Sequence, residues 1–412
     1  MSLCYVLNKY NKPLMPCSPR KARLLLKENK AVVIRKTPFT IKLKYGSSGY
    51  KQPIELGVDA GSKVVGFSST TAMKELFAEE LHLRNDIKEL LSTRRENRRT
   101  RRNRLRYRAP RFNNRRKSKQ KGWLAPSVNH KINTHISEID FICSILPISK
   151  IIVEVASFDT QLLQNPEIEN LEYQKGPQFN FWNVREYILY RDNYKCQHCK
   201  GKSKDKILEI HHLESRKTGG NAPNNLICLC KTCHENYHKG LIDLKAKRGK
   251  SYKDAAFMSI MRWTLYHKLC DKYSTDFVKM TYGYITKSVR IENKLEKAHY
   301  IDARCTTSNP LAKPLGFVYI KKKVRNHNRK IHKSNILKGG RKKLNQAPFK
   351  IKGFRLFDKV KFKGIECFIT GRRNTGYFKL VDIQGNIIHN SACYKDLTYI
   401  ESKKIGGIVA RV

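Results

Sequence analysis

Cys196 and Cys199 in CQHC, and Cys230 and Cys233 in CKTC, form two CxxC pairs about thirty residues apart. Each pair can set two thiolates on one edge of a metal ion, and together they complete a tetrahedral Zn2+ site. Cys228 offers an alternative to Cys230, but a CxC spacing gives the poorer bite. Histidines crowd the same stretch: His211 and His212 are adjacent, and His234 and His238 lie four apart on a predicted helix, hence on one face. A second set of groups is dispersed. Asp59 sits at the centre of GVDAGSK where an apolar strand ends, and Glu154 is isolated in IIVEVAS. A carboxylate inside a strand is costly to bury unpaired, and a metal ion is the economical reason for it. His299 and Asp302 in KAHYIDARC are three apart on a helix and share a face. Strand Asp, strand Glu and helix HxxD therefore predict convergence on two divalent ions that clamp an attacking and a leaving oxygen in line. The bland alternatives are that Asp59 caps a turn and that the histidines pack or contact phosphate in a plain zinc ribbon. Asp86, Glu138 and Asp140 read as solvated acids on helix surfaces.

The elements that must position these groups follow from the pattern. Residues 1–50 predict a basic module: a strand, a proline-rich turn, a helix from Lys21 to Glu28 and two β-rich runs. IELGVDAGSKVVGFSST alternates apolar and polar residues about a tight Ala-Gly turn, which predicts a β-hairpin. A helical stretch is expected from Ala78, running into the most biased segment. From Arg94 to Lys121, fifteen of 28 residues are Lys or Arg and Glu96 is the one acid. Its first half holds good helix formers until Pro110, with basic residues all round, as no protein core accepts. SVNHKINTHISEIDFICSIL predicts a helix and SKIIVEVASFD a short buried strand. Further on come a helix from Tyr252 to Lys272, a strand at FVKMTYGYIT and a helix at VRIENKLEKAHYIDARC. The Gly-punctuated remainder predicts a small barrel or sandwich.

Composition bounds the function. With 84 Lys and Arg against 34 Asp and Glu, the formal net charge is +50. A compact chain this basic repels itself unless a polyanion neutralises it, so a nucleic-acid partner is expected. With 40% hydrophobic and 10% aromatic residues, full disorder is excluded. No window approaches the roughly 20 apolar residues of a spanning helix, so no membrane role is expected. The first residues lack the pattern of a signal peptide. Twelve cysteines then read as reduced thiols or metal ligands, and a cytoplasmic, nucleoid-associated setting is expected.

ILEIHHLESRKTGGNAPNNLICLCKTCHENYH resembles the HNH, or ββα-metal, nuclease family. The resemblance implies phosphodiester cleavage with His212 as general base, Asn225 bracing the hairpin and helping to aim that base, and His211, His234 and His238 as ligands of an expected Mg2+ (or Mn2+). Members resembling the rest of this chain often carry Asp where His211 stands, which leaves the metal of that centre open. The order Asp59, Glu154, His299, Asp302 resembles the RuvC branch of the RNase H fold, split in three, with Asp59, Glu154 and Asp302 as Mg2+ (or Mn2+) ligands and all four residues catalytic.

The whole layout resembles IscB, the transposon-encoded RNA-guided nucleases related to single-protein CRISPR effectors. NKPLMP, GVDAGSK, RRENRRTRRNR, IIVEVASFD, the HNH block and TYGYIT…KAHYIDA carry that resemblance over residues 1 to about 305. It implies an α/β multidomain chain with an RNase H-like (RuvC) core split in three. The boundaries are a PLMP module (1–50), RuvC segment I (51–93), an arginine-rich bridge helix (94–121), RuvC segment II (122–160), a linker (161–182), an inserted HNH domain with its zinc ribbon (183–245), a linker with RuvC segment III (246–315) and a basic, β-rich C-terminal domain (316–412). Implied partners are a structured guide RNA (ωRNA) and double-stranded target DNA, in a monomeric ribonucleoprotein. HNH would cut the guide-paired strand and RuvC the displaced one. Arg94, Arg95, Arg98, Arg99, Arg101, Arg102, Arg104 and Arg106 would grip RNA backbone, since guanidinium groups fork onto phosphate and stay charged. The C-terminal domain would contact RNA and read a short motif beside the target. Its only guesses for base readout are Arg372 and Arg373 in the TGRRNTG turn. The competing readings are a protein-guided HNH homing or restriction enzyme, and a noncatalytic RNA-binding protein.

Overall fold

The computed structural model describes residues 3–107, 122–156, 178–214, 220–249, 253–325, 348–403 and 406–412. Residues 108–121 of the arginine-rich segment, 161–177 of the expected linker, 215–219 of the HNH block and the KGGRKK stretch lie outside these. The chain divides into two compact units, Met1–Ala156 with Ile260–Val412, and Ser157–Ser259. Among the described residues no helix is long and apolar enough to cross a membrane.

The first unit opens with β1 (Cys4–Leu7) paired antiparallel to β2 (Pro13–Cys17), so PLMP is a strand rather than the turn its prolines suggest. Proline is tolerated there because β2 is an edge strand. The helix α1 (Pro19–Lys27) starts on Ser18, whose Oγ accepts from the Lys21 amide at 3.3 Å. β3 (Ala31–Arg35) and β4 (Thr40–Leu43) complete a sheet ordered β2-β1-β4-β3.

The central sheet begins with the expected hairpin, β5 (Glu55–Asp59) and β6 (Val64–Thr70). β7 (Glu75–His82) then adds a third antiparallel strand where a helix from Ala78 is expected. Its Glu, Leu and Ala favour helix, but Leu76, Phe77, Ala78 and Leu81 are all buried, and a strand covered on both faces overrides that propensity. The arginine-bearing helix α2 (Ile87–Asn103) stops short of Pro110. Helix α3 (Pro126–Ile145) leads into β8 (Lys150–Val155), which lies parallel to β5.

In the second unit, helix α4 (Val184–Arg191) precedes a hairpin of β9 (Leu208–His212) and β10 (Leu226–Cys230), which runs directly into α5 (Lys231–His238). This ββα arrangement carries all the cysteine and histidine candidates of the HNH block except Cys196 and Cys199, which follow α4.

Helix α6 (Lys253–Tyr273) spans the change of unit at Ile260 and precedes β11 (Val278–Tyr282), parallel to β8. The expected strand through TYGYIT stops at Tyr282, because Gly283 opens helix α7 (Gly283–Glu292). The single helix expected through KAHYIDARC is instead two, the second being α8 (His299–Cys305). β12 (Tyr319–Lys322) joins β7 in parallel and the final strand pairs with β12, giving the sheet seven strands. The expected barrel or sandwich is a five-stranded antiparallel sheet of β13 (Lys359–Phe362), β14 (Ile365–Arg372), β15 (Tyr377–Val381), β16 (Ile387–Cys393) and β17 (Leu397–Glu401). Its order is β16-β15-β14-β13-β17, over a core that includes Val360, Phe362, Phe378 and Leu380. With β18 (Ile408–Arg411) the seven-stranded order reads β11-β8-β5-β6-β7-β12-β18.

Two glycines set α8 on this sheet. A Cβ built on Gly57 would overlap the Ala303 carbonyl oxygen, and one on Gly66 the His299 carbonyl oxygen. Backbone therefore meets backbone, which fixes where His299 and Asp302 stand. Gly57→Ala is expected to cost about 1–3 kcal/mol by overpacking, read as a lower denaturation midpoint at unchanged m-value.

Two sequence readings need correction. Glu138 is not a solvated surface acid: it is 1% exposed and ion-paired to Lys321 and Lys323. Arg372 is not free for base readout, because its guanidinium donates to the carbonyls of Pro348, Phe349 and Phe354.

Candidate functional site

Parallel pairing brings the dispersed carboxylates together. The β5–β8 register aligns Val58 with Val153, so Asp59 and Glu154 follow as neighbours at the C-terminal ends of adjacent parallel strands, where open α/β sheets hold their ligands. Asp59 is 6% and Glu154 7% exposed. Helix α8 adds the other two groups: His299 Nδ1 lies 2.7 Å from Asp59 Oδ2, and the His299 amide donates to Glu80 Oε1 at 3.1 Å. The hydrogen bond to Asp59 holds His299 above the usual histidine range. Burial, then repulsion from Asp59, raises both Glu154 and Asp302 above the usual carboxylate range. The structure thus assembles Asp59, Glu154, His299 and Asp302 in one place.

Two arginines complete this centre and were missed in the sequence. Arg262 on α6 sets Nη1 2.8 Å from Glu154 Oε1 and Nη2 3.6 Å from Asp59 Oδ1. Arg290 on α7 sets Nε 2.9 Å from Asp302 Oδ1. In a chain of 84 basic residues, nothing local marks these two as facing inward.

The second unit holds two further clusters. The thiols of Cys196, Cys199, Cys230 and Cys233 all lie within 4.8 Å of one another. Cys228 is fully buried outside this cluster, burial pushing its thiol up to about 11, so Cys230 is the partner and the CxC alternative falls. Burial raises Cys199, but hydrogen bonds from the Ser203 hydroxyl and from the Ser203 and Gly201 backbone prevail and bring it down to about 5. Four thiols drawn this close, one favouring thiolate, are a donor set that fits Zn2+.

His211, His234 and His238 likewise offer ring nitrogens within 4.8 Å of one another. Across the β9–β10 hairpin His211 is 5% exposed, and its Nε2 is buried without a hydrogen-bond partner. Burial, then the charge of the neighbouring imidazoles, brings His211 down to about 4, so its lone pair is available at neutral pH. On α5, His238 Nε2 is 3.1 Å from His234 Nε2, two nitrogens that gain from a shared cation. Glu209 Oε2, 2.5 Å from His234 Nδ1, fixes the His234 tautomer so that Nε2 faces inward. The spacing of Glu209 two residues before His211, on the same strand face, is the signal by which sequence could have found it. Three imidazoles suit a borderline transition ion better than Mg2+.

His212 alternates to the other strand face, away from this cluster. Its Nε2 lies 3.0 Å from Asn221 Oδ1, another residue the sequence reading missed. Asn225 is fully buried and does not touch His212 in hydrogen bonding. Its Nδ2 donates to the carbonyls of Glu214 and Gly220 and its Oδ1 accepts from the Glu214 amide. It braces the loop after β9, and Asn221 on that loop faces the His212 ring.

Along α2, Arg94, Arg95, Arg98, Arg99 and Arg101 are exposed and Arg102 is half-buried, while Arg104 caps the helix end and Arg106 lies beyond it.

Comparison with known proteins now adds to this geometry. Residues 4–176 match the model of the RRXRR protein family, and residues 196–240 match that of the HNH endonucleases. The second match spans the four-cysteine cluster, His211, His212 and Asn225, and α5. No curated protein matches the chain. Crystal structures of Streptococcus thermophilus Cas9 are distantly similar. In complex with the GGAA PAM, the match is 12% identical with a TM-score of 0.36, covering 52% of this chain and 30% of that one. In complex with the AGAA PAM it is 9% identical with a TM-score of 0.33, covering 62% and 32%. The chain thus spans about a third of the length of those proteins.

Proposed function

We propose that this chain, an IscB-like protein with an HNH endonuclease domain, is an RNA-guided, metal-dependent DNA endonuclease with two nuclease centres. The observation that carries the reading is that one basic chain holds two separate constellations fit for divalent metal. One is the cluster of His211, His234 and His238, in the segment matching HNH endonucleases. The other is the carboxylate group at the ends of β5 and β8. The strand order β7-β6-β5-β8-β11, antiparallel in its first three strands and parallel in the last three, supports an RNase H-like core split by the insertion.

Divalent ions held at these centres would polarise the scissile phosphate and stabilise the leaving oxygen. The chain's own groups supply the rest. In the HNH centre, His212 takes the proton of the attacking water, with Asn221 on the braced loop holding its ring. His211, His234 and His238 hold the ion. In the other centre Asp59, Glu154 and Asp302 are the ligands, of a hardness that suits Mg2+ or Mn2+, and His299 moves the proton. The arginines of α2 meet RNA phosphates, and base pairing, not protein side chains, chooses the target. We assign the guide-paired strand to HNH and the displaced strand to the carboxylate centre.

The deciding experiment purifies the chain with its bound RNA, sequences that RNA and asks whether replacing a variable segment redirects cutting to a matching DNA. Cutting that ignores the RNA would reject guidance, and absence of cleavage under any divalent metal would reject the enzyme. We place Zn2+ on Cys196, Cys199, Cys230 and Cys233 as a structural ion. Cys196→Ser is expected to lose the bound zinc by elemental analysis and to unfold the HNH domain at lower temperature, since metal-binding free energy is folding free energy in such sites.

A further inference from the structure

Helix α6 drives one guanidinium between the two strand carboxylates. Arg262 is 8% exposed, and besides its contacts to Glu154 and Asp59 its Nε donates to the Ala60 carbonyl at 2.8 Å. Ala60 follows Asp59 directly, so a single planar fork ties the end of β5 to the side chain of β8. Across from it, a Cβ on Gly283 would come within 2.9 Å of Glu154 Oε1 and 3.9 Å of Arg262 Nη1. Glu154 is therefore held between the Gly283 backbone and the arginine. Among the described residues, the Asp59, Glu154 and Asp302 carboxylates are not drawn into a cluster as tight as the two in the HNH unit. Arg262 is the cation set between Asp59 and Glu154, while Arg290 pairs with Asp302.

We propose that Arg262 is a positioning residue that acts as the internal counter-cation of the carboxylate centre. It holds Asp59 and Glu154 at a fixed spacing before loading, and it competes with the divalent ion for Glu154 Oε1 and Asp59 Oδ1. This rests on the reading of that centre as a divalent-metal site. The physical logic is mutual exclusion: two buried carboxylates need a compensating charge, and a guanidinium and a metal ion supply it on the same oxygens. Arg262 thereby lowers metal affinity and sets the concentration at which the centre loads, while keeping the empty centre folded.

The test is thermal unfolding of the full-length chain in a His211→Ala background, titrated with Mn2+. In that background Arg262→Met is expected to lower Tm without metal, to gain a larger rise in Tm with Mn2+, and to reach half its rise at roughly tenfold less Mn2+, within the about 5- to 150-fold span of ordinary coupling. Adding Glu154→Gln to Arg262→Met removes one of the two charges left uncompensated, so it should recover part of the lost Tm in the absence of metal and abolish the enlarged response. An equal loss of Tm with and without Mn2+, at an unchanged midpoint, would mean that Arg262 only packs, and the inference falls. If neither the background protein nor Arg262→Met responds to Mn2+, the metal-site reading falls with it.

Discussion

Asp59→Ala is expected to convert a double-strand cutter into a nickase of the guide-paired strand. Asp59 is the point through which the carboxylate centre is connected: it accepts from His299 at 2.7 Å, faces Arg262 at 3.6 Å and ends the strand that lies beside Glu154. Removing it takes away a proposed metal ligand, the anchor of the His299 ring and one of the two charges that Arg262 balances. Metal-borne stabilisation of the transition state amounts to several kcal/mol, so the displaced-strand rate should fall by about 10³-fold or more. Guide-paired strand cutting should stay within about twofold of wild type, because the HNH groups belong to a unit with its own core of Ile227, Leu229 and cysteines. Separately end-labelled strands in a single-turnover assay measure both rates. Asp59→Asn should behave alike and retain more of the native packing, so loss of activity cannot be assigned to unfolding. Unchanged cutting of both strands would remove the carboxylate centre from the mechanism.

Much of this was legible in the sequence, for physical reasons that differ from residue to residue. The four-cysteine cluster is written in local spacing, and CxxC geometry needs little from the rest of the chain. Asp59 and Glu154 were legible because a charge in an apolar strand demands compensation, wherever the partner comes from. The partner itself was not. Arg262 lies in MRWTLYHK among ordinary helix formers, and only the packing of α6 shows that it points at Glu154. Glu138 failed in the opposite sense: helical spacing placed it on a surface, but Lys321 and Lys323, on or just after a strand far along the chain, neutralise it inside. β7 was misread because Glu, Leu and Ala report backbone preference, while the fate of that segment is set by the strands on either side of it. TYGYIT changes from strand to helix at Gly283, where a side chain would press on Glu154 Oε1.

His212→Ala should produce the mirror result. The ring stands on the opposite face of β9 from the three-histidine cluster, beside Asn221, so deleting it removes a proton acceptor without removing a metal ligand. General-base catalysis is worth about 10²- to 10⁴-fold, and the guide-paired strand rate should fall by that factor. Metal content of the HNH unit should be unchanged, which separates His212 from His211, where alanine exchanges the buried, unpartnered Nε2 for a cavity and should release the ion. The displaced strand should still be nicked. That residual nick discriminates the two-centre reading from a protein-guided HNH enzyme in which the seven-stranded sheet is only scaffold. In such an enzyme His212→Ala abolishes all cutting, and Asp59→Ala would matter only through stability. The two variants therefore form a cross: each should spare the strand the other loses, and their combination should bind RNA and DNA without cutting either strand. A double variant that still cuts would place a third catalytic group outside both centres.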